Sequence, residues 1–133
     1  MKKFFVEEDI GFIIKNSFNE LKLLNNKHIL ITGGNGFLGK YFTKTIDDYN
    51  KIFNKNIKLT VVDNFITSKR NFLKGINSKN IKFIKADAAK KINIKGKIDF
   101  IIHAAGIASP FYYRKKPLET LDVAINGTRN CLK

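Results

Sequence analysis

The stretch HILITGGNGFLGKYF, at residues 28–42, constrains the fold of this chain more than any other feature. An apolar run ends at Thr32, and glycines crowd the residues that follow it: Gly33, Gly34, Gly36 and Gly39. Glycine lets a backbone turn tightly and approach a ligand closely, and a glycine-rich turn between a strand and a helix is typical of phosphate binding. The stretch therefore predicts a strand, a phosphate-binding turn and a helix in succession.

Two phosphate-binding patterns resemble this stretch, the P-loop and the dinucleotide fingerprint, and the P-loop matches it less well. The pattern G-x-x-x-x-G-K-[ST] matches from Gly34 to Lys40, but the next residue is Tyr41 instead of serine or threonine. The hydroxyl at that position holds Mg²⁺ in a P-loop, and a tyrosine cannot place its hydroxyl there. The P-loop interpretation is therefore disfavoured.

The dinucleotide fingerprint G-x-G-x-x-G also fits, with Gly34, Gly36 and Gly39 as its glycines. It follows a predicted strand and opens a predicted helix over 37–53, which is the context that the fingerprint requires. The N-terminal amides of that helix and its dipole would meet a pyrophosphate. The loop therefore predicts a dinucleotide site.

An acidic residue at the end of the next strand refines this prediction. The β-branched run at 57–63 ends at Asp63, whose carboxylate would accept both hydroxyls of an adenosine ribose. The same carboxylate would repel a 2′-phosphate, which favours NAD over NADP. Lys69 and Arg70 follow closely and leave NADP open as an alternative.

The rest of the chain alternates apolar strands with helical segments. Helices are predicted at 6–24, at 37–53, briefly within 64–77 and from Pro117 onward, and strands at 27–32, 57–63, 81–87 and within 97–106, with a loop at 107–116. Continuous apolar strands between helices are typical of a parallel sheet covered by helices. We expect a Rossmann-type α/β fold with four strands, ordered 3-2-1-4, of an incomplete doubly wound sheet. A helical arm at 1–26 would precede a dinucleotide-binding domain at 27–133.

Composition limits the possible partners and the compartment. The chain has 25 Lys and Arg against 11 Asp and Glu, for a net charge of +14, and its lysines are scattered along the sequence. Surfaces that bind nucleic acid cluster their charge and use arginine, so a nucleic-acid-binding protein is the remote alternative. No apolar stretch reaches the ~18 residues of a membrane span. Cys131 is the only cysteine, which indicates a reducing cytoplasm.

Several motifs in register resemble those of a known family. Thr32, Gly33, Gly36 and Gly39 form T-G-x-x-G-x-x-G, which is similar to the signature of the extended short-chain dehydrogenase/reductase superfamily. Further segments agree in order and spacing: VVDNFITSKRN at 61–71, KADAA at 85–89, HAAG at 103–106 and the segment 107–132. Together, over 27–133, they resemble the NAD-dependent epimerase/dehydratase family, particularly its UDP-glucuronate decarboxylase-like and dTDP-glucose 4,6-dehydratase-like members.

The resemblance implies a cofactor, a substrate and a set of site residues. NAD would oxidise a nucleotide sugar transiently, and decarboxylation, dehydration or epimerisation would follow. The implied cofactor-binding residues follow the glycine loop and the strand ends: Gly33, Gly36, Phe37, Leu38, Asp63, Asn64, Asp87, Ala88, Ala104, Ala105 and Gly106. Ser109, after the fourth strand, would contact the substrate.

The family's catalytic Tyr-x-x-x-Lys pair follows a fifth strand, and no such pair stands at that place in this chain. Tyr112 and Lys116 have the spacing but lie in the predicted loop after the fourth strand, and Pro117 disfavours helical geometry at Lys116. Relatives have an asparagine where this chain has Ala124. We therefore expect no catalytic residue here, and the cofactor-binding portion of an enzyme without its substrate domain. A non-catalytic dinucleotide-binding module is the alternative.

The remaining candidates are few. His28 and His103 are the only histidines, so no Cys/His metal cluster is expected, and His103 is interpreted as structural or cofactor-lining. Tyr112, Tyr113 and Arg114 would contact a sugar-linked diphosphate or cover the sheet edge. The apolar fourth strand would form an open edge, so we expect self-association or a separately encoded second half as partner.

Overall fold

The computed structural model describes residues 7–66, 76 and 78–133, and the described part contains one four-stranded sheet. Its strands are β1 (His28–Thr32), β2 (Lys58–Asp63), β3 (Ile81–Lys85) and β4 (Phe100–His103). Neighbouring strands run parallel in the order β3-β2-β1-β4. The predicted α/β class and strand order are therefore confirmed.

Helices flank this sheet. They are α1 (Glu7–Asn16), α2 (Phe18–Leu23), α3 (Phe37–Phe53), α4 (Pro110–Lys115), α5 (Pro117–Asp122) and α6 (Thr128–Cys131). A π-helical segment, Val123–Gly127, joins α5 to α6 and is called the π-turn below. Among the described residues, no helix is long and apolar enough to cross a membrane.

The main core lies between α3 and one face of the sheet. Ile29 pairs with Leu59 and Leu59 with Ile81, so these three side chains share a face because strand residues alternate between faces. Together with Ile46 and Tyr49 of α3 they belong to one buried cluster. The β-branched runs noted in the sequence therefore form the central strands, where both sheet faces are covered.

The predicted arm packs into the same core, but it is not one continuous helix. Ser17 interrupts the segment between α1 and α2. Ile10, Ile14 and Leu21 are buried and join the cluster that contains Tyr49. The single helix predicted at 6–24 is therefore two helices in the structure.

The C-terminal third also departs from the prediction. Residues 110–115 of the predicted loop are helical, with Pro110 in the first turn of α4, where proline is favoured. The predicted final helix consists of α5, the π-turn and α6. The predicted third strand, 81–87, ends at Lys85. The helix predicted within 64–77, together with Lys69 and Arg70, lies largely outside the described residues.

β4 forms one edge of the sheet, and its apolar side chains are uncovered on both faces. Phe100 is 47% exposed and Ile101 is 42% exposed. Successive strand residues point to opposite faces, so the described residues leave each face of this edge partly open, although Ile102 packs against the core. Within the described part of the chain, β4 pairs with β1 alone.

Candidate dinucleotide-binding site

A cleft of about 190 Å³ opens at the carboxyl ends of the four strands. Parallel α/β sheets bind ligands at this end, where the strand order reverses. The reversal lies between β1 and β4, since chain order runs outward from β1 in both directions. The cleft is lined by segments that follow all four strands and by one helical wall, and its lining includes most of the predicted cofactor-binding residues: Gly33, Gly36, Asp63, Asn64, Asp87, Ala88, Ala104, Ala105 and Gly106.

Gly33 sits at the base of the cleft in a conformation that glycine favours. Its φ is +72°, and its N–H donates to the Val62 carbonyl at 2.7 Å. A Cβ at this position would lie 2.5 Å from the Ala104 carbonyl oxygen. A side chain at Gly33 would therefore separate β1 from the segment that follows β4.

The other glycines of the loop have different roles. Gly36 lines the cleft and is the N-cap residue of α3, so the first amides of α3 open next to the cleft. A Cβ at Gly39 would lie 2.6 Å from the Gly33 carbonyl oxygen, which requires glycine where the helix crosses the loop.

Gly34 is buried, and a Cβ there would overlap Val61 Cγ1 of β2. Gly34 is also absent from the described cleft lining. The glycines that shape the cleft are therefore those of the T-G-x-x-G-x-x-G pattern. Gly34, the first glycine of the G-x-G-x-x-G pattern, instead allows close packing against Val61.

The Asp63 carboxylate is held in one orientation at the end of β2. Its Oδ2 accepts the Asn35 N–H at 2.8 Å, and its Oδ1 accepts the Phe65 N–H at 2.8 Å. Each oxygen retains a lone pair, because an ionised carboxylate accepts about four hydrogen bonds. Nearby, partial burial lowers the pKa of Lys40, and the Asp63 charge acts in the opposite direction. Asp63 thus presents a fixed negative charge to the cleft.

The segment after β3 forms a second wall. Asp87 Oδ1 accepts the Ala89 N–H at 3.0 Å, and the Asp87 carbonyl accepts the Lys90 N–H at 3.0 Å. The Ala88 carbonyl accepts a hydrogen bond from Asn130 Nδ2 of α6 at 3.1 Å. These bonds fix the turn and leave small side chains toward the cleft.

The segment after β4 closes the base of the cleft. Ala104 N–H donates to the Thr32 carbonyl at 3.0 Å, and Ala105 N–H lies 3.4 Å from Thr32 Oγ1. His103 is not in the described cleft lining; its Nδ1 lies 2.7 Å from Thr32 Oγ1 and its Nε2 3.2 Å from the Val123 carbonyl oxygen. Of the two roles open to His103, these contacts favour the structural one.

The helical wall was missed by the sequence prediction. Its residues recur at helical spacing along α5 and the π-turn: Glu119, Asp122, Val123 and Asn126. The i, i+3, i+4, i+7 spacing of these residues is visible in the sequence and could have identified this face, next to which Ala124 lies. With Asp63 and Asp87, the wall gives the cleft four carboxylates, whereas Lys90 is the one ammonium in its described lining.

Three predicted site residues lie outside this lining, as far as the described residues show it. Phe37 and Leu38 begin α3 with side chains 74% and 62% exposed, so only their backbone amides are placed to serve the cleft. Ser109 is the N-cap residue of α4, and its carbonyl accepts the N–H groups of Tyr112 and Tyr113. The substrate contact assigned to Ser109 stays a prediction.

Tyr112 and Lys116 do not lie on one continuous helix. Tyr112 lies in α4, whereas Lys116 has φ −134° and ψ 58°, outside helical geometry, as the following proline predicts. Lys116 Nζ is 3.5 Å from Glu119 Oε1. Neither Tyr112 nor Lys116 is in the described cleft lining, and the described residues include no group of three or more side chains suited to holding a metal ion.

Residues 29–133 match the family described as the NAD dependent epimerase/dehydratase family. The match includes the sheet, the glycine loop and the cleft, and the chain belongs to this family. The family and the cofactor in its name are those that the sequence motifs predicted.

One curated relative is similar in sequence, and two solved structures share the fold. UDP-glucuronic acid decarboxylase 1 from Danio rerio is 38% identical over 109 residues, which cover 81% of this chain and 24% of that protein. The solved dTDP-glucose 4,6-dehydratase from Streptomyces venezuelae, with NAD bound, has a TM-score of 0.61 at 18% identity, covering 77% of this chain and 34% of that one. UDP-N-acetylglucosamine 4-epimerase from Methanobrevibacter ruminantium M1 has a TM-score of 0.58 at 24% identity, covering 81% and 34%. This chain therefore spans between 24% and 34% of the lengths of these proteins.

Proposed function

We propose that the cleft binds NAD. The observation that carries the proposal is the pairing of the glycine cradle at Gly33 and Gly36 with the fixed carboxylate of Asp63. Phosphates need close backbone approach, which a Cβ at Gly36 would obstruct, and the first amides of α3 supply donors and a favourable dipole. The remaining lone pairs of Asp63 fit ribose hydroxyls.

The other walls fit the remaining parts of a dinucleotide. Asp87 and Ala88 would flank the adenine, and the backbone from Ala104 to Gly106 would lie along the nicotinamide. NAD supplies hydride acceptance when bound; the contribution of this chain is to hold and orient it. The negative charge of Asp63 opposes a 2′-phosphate, which favours NAD over NADP.

Calorimetric titration of the purified chain tests this proposal. Wild type should bind NAD, and Gly36→Val should lose at least about tenfold in affinity, because a branched side chain occupies the approach of the pyrophosphate. Gly11→Val is the matched control, since a Cβ at Gly11 meets nothing within 4 Å. Equal affinities for wild type and Gly36→Val would contradict the proposal.

We propose that this chain is the cofactor-binding portion of a nucleotide-sugar epimerase, dehydratase or decarboxylase. UDP-glucuronate is the first substrate to test for the complete enzyme. Identity to the Danio rerio decarboxylase supports this choice. The chain alone should not turn over a nucleotide sugar, because neither Tyr112 nor Lys116 is in the described cleft lining and the two do not share a helix. Sugar-dependent NADH formation by the isolated chain would contradict this expectation. If NAD binds and no partner restores turnover, the non-catalytic module is favoured.

We also propose that the β4 edge is covered by another chain, either a separately encoded second half of the fold or a second copy. The exposed Phe100 and Ile101 on the two faces of that edge support this proposal. The free thiol of Cys131 supports a reducing, cytoplasmic compartment.

A further inference from the structure

The His103 imidazole connects three elements that meet below the cleft. It is the last residue of β4, and its Nδ1 lies 2.7 Å from Thr32 Oγ1 at the end of β1. Its Nε2 lies 3.2 Å from the carbonyl oxygen of Val123, the first residue of the π-turn. A single side chain therefore joins the sheet to the helical wall of the cleft.

The partners of the ring determine its tautomer. A carbonyl oxygen can only accept, so Nε2 carries the proton and donates it to Val123. Nδ1 is then an acceptor, and the Thr32 hydroxyl donates to it while Thr32 Oγ1 faces the Ala105 N–H at 3.4 Å. Cys131 Sγ lies 3.7 Å from Nδ1, a weaker contact than the bond from Thr32, and burial raises the pKa of this thiol. The donors and acceptors form one consistent chain.

The π-turn is shaped to receive the ring. A Cβ at Gly127 would lie 2.9 Å from His103 Cε1 and 3.1 Å from Nε2, so any other residue would displace the imidazole. A π-helical segment widens a helix by one residue and is frequent at functional sites. The turn therefore provides both the space for the ring, at Gly127, and the acceptor that holds it, at Val123.

The residues fixed by this contact line the cleft. Val123, Asp122 and Asn126 are part of the lining, and Asn126 Nδ2 donates to Asp122 Oδ1 at 3.2 Å. The hydrogen bond from His103 to the Val123 carbonyl attaches the element that carries these residues to the end of β4. His103 is not in the described cleft lining, so a substitution there removes no lining group.

We propose that His103 is a positioning residue for the bound dinucleotide: its Nε2–H holds the π-turn against the sheet, and this hold sets the width of the cleft. The proposal rests on the NAD site proposed above. It requires no contact between His103 and the ligand, because the effect passes through the Val123 carbonyl.

Two substitutions at His103 distinguish the roles of its two ring nitrogens. The side-chain amide of His103→Gln places an N–H near the Nε2 position, whereas that of His103→Asn replaces Nδ1 and cannot reach Val123. His103→Gln should keep NAD affinity within about threefold of wild type, and His103→Asn should lose about tenfold, the effect of one net hydrogen bond. Urea unfolding of both variants measures their stability separately. Affinities that fall together in the two variants, or that fall in neither, would overturn the proposal.

A second pair and a spectroscopic measurement keep the test decisive if either His103 variant fails to fold. Thr32→Ser keeps the hydroxyl that orients the ring and should bind NAD like wild type, whereas Thr32→Val should bind more weakly. Nitrogen NMR of wild type should show the proton on Nε2, and a proton on Nδ1 alone would overturn the inference. If wild type binds no NAD, the proposed function fails as well; if it binds and the paired variants do not differ, this inference fails alone.

Discussion

The two sides of β1 differ in how completely the fold covers them. On one side, β2 and β3 lie beneath α3 and the N-terminal helices, and Ile31 is 0% exposed. On the other side lies β4, with Phe100 and Ile101 open on both faces. The first side has its own core, which includes helices from outside the family match. The second side carries part of the cleft lining on a strand with one neighbour among the described strands, so the cleft spans a well-covered and a poorly covered part of the molecule.

The comparison can be tested with one pair of truncations in adjacent strands. Ile31→Ala should lower the free energy of unfolding by about 3 kcal/mol, because it leaves a cavity in the packed core. Ile101→Ala should lower it by less than about 1 kcal/mol, because the side chain is already partly hydrated. Urea unfolding followed by circular dichroism measures both, and equal losses would mean that the two sides are covered alike.

The N-terminal helices should behave as part of the core. Ile14→Ala is expected to cost about 2 kcal/mol of unfolding free energy, since Ile14 is buried against the cluster that contains Tyr49. Phe12→Ala is the control in the same helix, and it should cost less than about 0.5 kcal/mol because Phe12 is 69% exposed. Loss of helicity in α1 without a change in the sheet transition would instead indicate a separable arm.

The charge of Asp63, at the end of β2 on the well-covered side of β1, should set the preference for NAD over NADP. Asp63→Asn should reduce the preference for NAD over NADP by about tenfold, because it removes the repulsion of a 2′-phosphate. Asp48→Asn makes the same charge change on α3, where Asp48 pairs with Lys44, and should leave the preference unaltered. Titration of both cofactors into each variant measures the ratio; an unchanged ratio in Asp63→Asn would contradict the assignment.

The β4 edge should drive association of the isolated chain. Because salt screens the +14 net charge, association should rise with ionic strength. Ile101→Lys should weaken association by about 1 kcal/mol, since it places a charge on the edge. Phe12→Lys adds the same charge on α1 and serves as the control. Sedimentation velocity from low to moderate salt measures the effect, and a wild-type monomer throughout that range would mean that the edge is not an interface.

The smallest expected effect concerns acid stability at the opposite end of β4. The His28 N–H donates to Asp99 Oδ2 at 2.9 Å, and this bond lowers the pKa of Asp99 below its usual 3.8. A carboxyl group whose pKa is lower in the folded state stabilises the protein at pH values above its unfolded-state pKa. This stabilisation is lost as the pH falls through the folded-state pKa. The stability difference between wild type and Asp99→Asn should therefore be constant at neutral pH and shrink as the pH falls through 3.8 and below it. A constant difference would contradict this role for Asp99.

The sequence by itself determined the features that depend on local backbone demands. Gly33, Gly36 and Gly39 are required where the chain turns and crosses itself within a few residues, and Asp63 directly ends a β-branched run. The apolar runs predicted the strands, and the helical segments between them predicted parallel pairing. Such constraints act between residues that are close in sequence, so the local sequence is enough to predict them.

Tertiary structure decided which atoms meet across elements. That Gly34 packs on Val61, that Gly127 receives the His103 ring, and that a π-turn supplies the helical wall depend on the separation of β1, β4 and the last helices in space. The sequence pattern placed Ala124 and Asn126 two positions apart on one helix, but a widened turn determines which of them faces the cleft. Packing at close range across distant segments is decided by the whole fold, because no single segment contains both partners of the contact.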